Sequence, residues 1–129
     1  MSDKKVFVVV PLEGSPFIAI DKDPNEYDDI NEIVGGSIEG ISEKLKIIVH
    51  PMFYKECPRW RAVSDILKDK RKIEVYVNEN GMYETTPNMG MLIREWDGTV
   101  HHMFGNIAII TKEKNIPDNL PRYKFAEYE

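Results

Sequence analysis

Ile73-Glu74-Val75-Tyr76-Val77-Asn78-Glu79-Asn80-Gly81 is the stretch on which the fold turns. Ile73, Val75 and Val77 alternate with Lys72, Glu74 and Tyr76, the period of a strand with one face buried. Glu79-Asn80-Gly81 then ends it with the strongest turn signal in the chain, because Asn-Gly readily takes the φ > 0 conformations of a tight hairpin. A half-buried strand needs strand neighbours and an apolar layer over its buried side, and the rest of the chain must supply both.

Toward the N-terminus, Val6-Phe7-Val8-Val9-Val10 is continuous and mostly β-branched, so residues 5–10 read as a strand buried on both faces. Pro11 to Pro16 is a turn by composition, and Phe17 to Ile20 reads as a second strand antiparallel to the first. Asp23 at the N-cap, Pro24 at the first helical position and Glu26 three residues after the cap predict a helix start. Tyr27, Ile30 and Val34 fall on one face with Ile33 beside them, and Gly35-Gly36 closes the helix. Ile38 to Ile41 and Lys46 to His50 read as strands, the latter ending before Pro51. A second helix begins around Cys57-Pro58 and puts Trp60, Val63, Ile66 and Leu67 on one face. It runs into Lys68, Lys70, Arg71 and Lys72, a basic run that suits a solvated helix end favoured by the macrodipole.

Toward the C-terminus, Pro87-Asn88-Met89-Gly90-Met91 fits either a loop or a short helical turn. Asp97-Gly98 is a second hairpin signal between Leu92–Trp96 and Thr99–Phe104, and Asn106 to Thr111 reads as the last strand. Residues 112–129 carry Pro117, Pro121 and many charges. They read as an extended tail outside the core, with Tyr123, Phe125 and Tyr128 available for docking. The expected fold is therefore one α+β domain over residues 1–111, a mainly antiparallel β-sheet with two packed α-helices.

The chain has 129 residues, enough for one core without disulfide or metal staples. A net charge of −5 and a pI near 5.3 argue against a nucleic-acid binder, since phosphate neutralisation needs a basic surface. The apolar stretch near the start is too short to span a bilayer and lacks the pattern of a signal peptide. Cys57 is the single cysteine, so no intrachain disulfide forms. A cytoplasmic protein with no membrane association is expected. His50, His101 and His102 have no metal-ligand spacing, and no metal or cofactor is expected.

No nucleophile elbow, phosphate loop or dinucleotide fingerprint is present. Gly35-Gly36-Ser37-Ile38-Glu39-Gly40 is glycine-rich but follows a helix instead of opening one, the wrong order for a phosphate cradle. The candidate ligand or partner residues are Glu39, Asn78, Glu79, Asn88 and Trp60. Glu79 is placed to act as a general base, with Asn78 or Asn88 orienting a ligand and Glu39 facing them across the sheet. Against this, asparagines cap turns through their own backbone, a surface glutamate is ordinary, and Trp60 on an apolar helix face is most simply core.

Gly35-Gly36 with Ile38-Glu39, then Val77-Asn78-Glu79-Asn80-Gly81, Pro87-Asn88 and Gly105-Asn106-Ile107-Ala108-Ile109-Ile110 give the chain a pattern. It resembles a family of small domains of unknown function found in phages, plasmids, bacteria and large DNA viruses. The resemblance spans most of residues 5–111, with a departure at about 42–72, where an extra stretch holding Pro51 and Trp60 is inserted. It implies a small α+β domain carried by mobile genetic elements and no catalytic residue. The expected function is a non-enzymatic viral or mobile-element accessory protein that binds a host or viral protein, with homodimerisation open. The alternative is a small-ligand binder or enzyme with a polar pocket at Glu39, Asn78, Glu79 and Asn88.

Overall fold

A computed structural model of the chain describes residues 4–41, 46–68, 72–117 and 120–128. It is an α+β domain with nine strands in two sheets: β1 Lys5–Val10, β2 Phe17–Ala19, β3 Ile38–Gly40, β4 Ile47–Val49, β5 Glu74–Asn78, β6 Pro87–Arg94, β7 Val100–Phe104, β8 Ile107–Lys112 and β9 Arg122–Tyr123. The larger sheet has the order β3-β5-β8-β1-β2-β9 and the smaller β4-β6-β7. Every pairing is antiparallel except β2 with β9. The helices are α1 Tyr27–Val34, α2 Pro51–Glu56, α3 Pro58–Leu67, α4 Gly81–Glu84 and α5 Phe125–Tyr128. Among the described residues no helix is long and apolar enough to cross a membrane.

The alternation of side chains along β1 explains its unbroken apolar run. Val6, Val8 and Val10 enter one core, shared with Ile107 and Ile109 of β8, Val75 of β5, the small sheet and Trp60, Val63, Ile66 and Leu67 of α3. Phe7 and Val9 enter a second core on the opposite face, under Ile30, Ile33 and Val34 of α1. β1 is the centre of a two-sided sandwich, so both its faces must be apolar.

Several expectations change. Asp23 does not cap α1: its carboxylate accepts from Asn25 N (2.9 Å) and its carbonyl from Glu26 N (3.0 Å), closing a separate turn. The helix starts at Tyr27, with Glu26 as N-cap and no side-chain cap. Asp-Pro serves a local turn as well as a helix start, and the local turn won. Tyr27 is consequently exposed while Ile30, Ile33 and Val34 are buried. The helix does end at Gly35, in the left-handed region at φ +82°. Pro51 ends β4 but also opens α2, where His50 Nδ1 accepts from Met52 N (3.1 Å).

Asn80-Gly81 is not a hairpin. β5 pairs with β3 and β8, and Gly81 opens α4 without a positive φ. Glycine is needed there for close approach: a Cβ would lie 3.2 Å from Phe104 Cβ. Pro87–Met91 belongs to β6, neither loop nor helical turn. The β6–β7 register jumps between Asn88 and Leu92, leaving Met89-Gly90-Met91 as a bulge. The Asp97-Gly98 hairpin forms as expected, with Gly98 at φ +90°.

The C-terminal segment is part of the core, contrary to the expectation of an extended tail. β9 adds parallel to β2, the Pro121 carbonyl accepts from Ile18 N (2.8 Å), and Leu120 and Phe125 are buried in the two cores. Proline suits this edge position because its carbonyl still pairs while its missing N–H costs nothing there. Phe125 N also donates to Asp21 Oδ1 (2.8 Å), tying the segment down. Lys70, Arg71 and parts of the 42–72 stretch lie outside the described residues, as does the Tyr128 side chain.

Candidate functional site

The β3–β5 register decides where the predicted residues go. Ile38 stands opposite Asn78 and Glu39 opposite Val77. Strand alternation then puts Glu39, Ile41, Val77 and Glu79 on the face that meets the small sheet, and turns the Asn78 side chain to the other face. There Asn78 Oδ1 accepts from Asn80 N (2.8 Å), the usual Asx turn, and its amide packs against Gly36. A Cβ at Gly36 would sit 2.9 Å from Asn78 Nδ2, so this glycine is fixed by the asparagine beside it. Asn78 is buried, and its Nδ2 has no hydrogen-bond partner among the described residues.

Asn88 does not join this group. It is 1% exposed and anchors three distant backbone carbonyls through Nδ2: Gly105 (3.0 Å), Pro11 (3.3 Å) and Val10 (3.4 Å). Its Oδ1 takes Gly90 N (3.1 Å), holding the β6 bulge. This side chain ties the β1 exit, the β7–β8 turn and the bulge together. Asn106 does similar work, accepting from Leu12 N (2.7 Å) and donating to the Ile33 carbonyl (3.1 Å).

Trp60 is also internal. Its ring lies over Gly90 and tilts against Phe53 at 5.1 Å between centroids. The exposed tryptophan is Trp96, at 89%.

What remains is a groove of about 210 Å³ between the β3–β5 end of the large sheet and the β6–β7 end of the small one. Ile41, Val77, Ile93 and Met103 form its floor and Phe104 one wall. Glu39 and Glu79, both exposed, stand on its rim, with Gly81 and Met82 of α4 beside them. Met82 and Tyr83 project into solvent at 66% and 87% exposure. Glu79 is held in place by its backbone, whose N–H donates to the Ser37 carbonyl (2.8 Å). The groove residues missed in the sequence, Ile93, Met103 and Phe104, carry only an apolar strand signal. Nothing local marks them as facing Glu39.

The groups with displaced pKa values lie elsewhere. Burial, and then the hydrogen bond to Glu74, raise the Tyr76 phenol above its ordinary value. The Glu32 carboxylate, bonded at 2.7 Å, raises Lys22 against a smaller opposing effect of burial. Hydrogen bonds from Thr99 lower Asp97. Among the described residues no three His, Cys, Asp or Glu side chains gather as a metal site.

Fold and groove together define a small two-sheet α+β protein with an acidic-rimmed apolar groove at the junction of its sheets. Comparison with protein-family models, with curated proteins and with solved structures finds no match to this chain.

Proposed function

We propose that the protein is a non-enzymatic interaction module that holds a segment of a partner protein in the Glu39–Glu79 groove. The observation that carries this reading is the division of labour among the polar candidates. Asn78 closes its own turn through Oδ1 and Asn88 is engaged at both ends of its amide, while Glu39 and Glu79 remain exposed over an apolar floor. Such a surface suits an apolar side chain flanked by lysine or arginine: the floor takes the apolar group and the carboxylates meet the cations. The exposed Met82 and Tyr83 beside it extend the contact, in keeping with the preference of interfaces for methionine and aromatic residues. The resemblance to domains of viruses and mobile elements fits the same reading, with a host or viral protein as the partner.

Selection from a random peptide display library on the immobilised full chain tests this. Enriched peptides are expected to carry an apolar residue with basic neighbours, and to lose binding to the double variant Glu39→Lys, Glu79→Lys. Enrichment of acidic peptides, or binding unchanged by the charge reversal, would remove the groove from the mechanism.

A further inference from the structure

The Glu39–Glu79 groove runs between the last strands of the two sheets. β3 ends the large sheet and β7 ends the small one. The groove takes Glu39 and Ile41 from the β3 side, and Met103 and Phe104 from β7. The two edges differ. β3 has three residues and carries Glu39, so it is too short and too charged to invite a further strand. The other edges are blunted in the same ways. β4 has three residues and stops at Pro51, and β9 has two, Arg122 and Tyr123, directly after Pro121. β7 has none of these devices: Val100-His101-His102-Met103-Phe104 is five residues long without a proline, lysine, arginine or carboxylate.

The ladder fixes which backbone groups of β7 are open. Glu95 N donates to the Thr99 carbonyl (2.7 Å) and Gly105 N to the Thr86 carbonyl (3.0 Å), at the two ends of the β6–β7 pairing. Backbone groups alternate in direction along a strand, so Thr99, His101, Met103 and Gly105 point theirs at β6. Val100, His102 and Phe104 point theirs the other way, where no strand lies among the described residues. Gly81, a groove residue, sits beside the outward Phe104 carbonyl, where a Cβ would be 3.5 Å from the oxygen, so the groove opens onto this edge. Val100 and His102 each leave an N–H and a C=O there without a partner among the described residues. The floor is unfinished at the same place. Facing sheets normally bury each other's inner sides, yet Ile41, Val77 and Ile93 pack against the larger core and stay half-buried.

We propose that the partner segment binds as a fourth strand of the small sheet, paired with β7 through Val100 and His102. This rests on the groove reading and adds the conformation of the segment. Main-chain bonds to β7 supply affinity, and alternate side chains face the groove. Those at its centre are apolar and cover Ile41, Val77 and Ile93; those at its ends are lysine or arginine and meet Glu39 and Glu79. A helical segment would satisfy its own backbone and leave that of β7 open.

The capped peptide Lys-Thr-Val-Thr-Val-Thr-Lys has this pattern, with both lysines and both valines on one face of a strand. Its titration into the full chain, read by amide chemical shifts and hydrogen exchange, tests the proposal. The peptide is expected to shift Val77 and Ile93 and to slow exchange at Val100 and His102. At nine-tenths saturation the slowing is about tenfold, since only the free fraction exchanges. N-methylation should separate alternate peptide residues into two sets: one, whose N–H groups face β7, loses binding several-fold, and the other keeps it. Glu39→Lys with Glu79→Lys should weaken binding several-fold. Shifts at Val77 and Ile93 without slowing at Val100 and His102, or slowing at Ile38 and Gly40 of β3 instead, would overturn the strand addition and leave the groove reading standing. N-methylated peptides that all bind alike would do the same. No shift at Val77 or Ile93 with millimolar peptide would overturn both.

Discussion

Gly90→Ala isolates one packing contact. Gly90 lies in the β6 bulge, its N–H taken by Asn88 Oδ1 and its carbonyl by His50 N (2.8 Å). It has no positive φ, so alanine meets no backbone penalty there. A methyl group at this position would overlap Cη2 and Cζ3 of Trp60 and come within 2.6 Å of Phe53 Cδ2. Carbon atoms settle at about 3.5–4.0 Å, so the Trp60 ring must retreat on the order of 1 Å. It has little room: Trp60 is 4% exposed and packed within the larger core. Overpacking of this kind costs about 1–3 kcal/mol, occasionally more. The gain from replacing a strand glycine, about 0.5–1 kcal/mol, opposes it without cancelling it. For 129 residues, an unfolding entropy of about 2.1 cal/mol/K per residue makes each kcal/mol worth about 3–4 °C. The net cost of about 0.5–2.5 kcal/mol gives an expected drop in melting temperature of about 2–9 °C. In a Trp96→Phe background, harmless because that ring is 89% exposed, the remaining fluorescence reports Trp60 directly. In a Trp60→Phe background, followed by circular dichroism, the same substitution should cost at least about 1 kcal/mol less, since contacting residues couple. Gly90→Ala melting at or above the parent, or an equal cost in both backgrounds, would refute the reasoning.

Asn88→Ala should lower stability in urea by about 1–3 kcal/mol, because three carbonyls lose their donor inside the protein; an unchanged midpoint would mean water replaces the amide fully. Phe125→Ala should cost about 3 kcal/mol, the low end for a buried phenylalanine near a chain end, and truncation after Lys114 should cost more because Leu120 and β9 go as well; denaturant titrations showing no loss would return residues 112–129 to the status of a tail. The Tyr76 phenol, raised above its ordinary value of 10.0 by burial and by Glu74, contributes stability that is complete below that pH and is lost as pH rises through the folded-state value. Alkaline melts should therefore fall more steeply above pH 10.0 for the parent than for Tyr76→Phe, and parallel curves would exclude the linkage. Gly81→Ala should destabilise through Phe104, whose Cβ lies 3.2 Å from the added carbon, and Phe104→Ala should relieve part of that cost; no relief in the double variant would point to another cause.

Local chemistry made much of the secondary structure legible. Val6 to Val10 could only be a strand apolar on both sides, and Ile73 to Val77 only one with a polar face. Trp60, Val63, Ile66 and Leu67 share a helix face at any tertiary placement, and Gly35 and Gly98 mark positive-φ positions that other residues avoid. Turn signals that serve two geometries misled. Asp23-Pro24 suits a turn or a helix start, and Asn80-Gly81 suits a hairpin or a tight approach of backbone to a neighbour. The choice depends on what packs nearby, Phe104 in the second case. The candidate sites were legible only as residue types. Asn78 and Asn88 look alike in the chain, yet one closes its own turn and the other holds carbonyls from 17 to 78 residues away.

The sequence alone thus determined the strong periodicities: the strands at residues 5–10, 73–77 and 106–111, the apolar faces of α1 and α3, and an α+β class with a mainly antiparallel sheet. Only the tertiary structure decided the division into two sheets, the capture of Leu120 and Phe125 by the core, and the groove beneath Glu39 and Glu79. The physical reason is that periodicity is written in neighbouring residues, whereas strand register and sheet order are set by burying distant apolar faces together, and a shift of one residue in register sends every side chain of a strand to the other face.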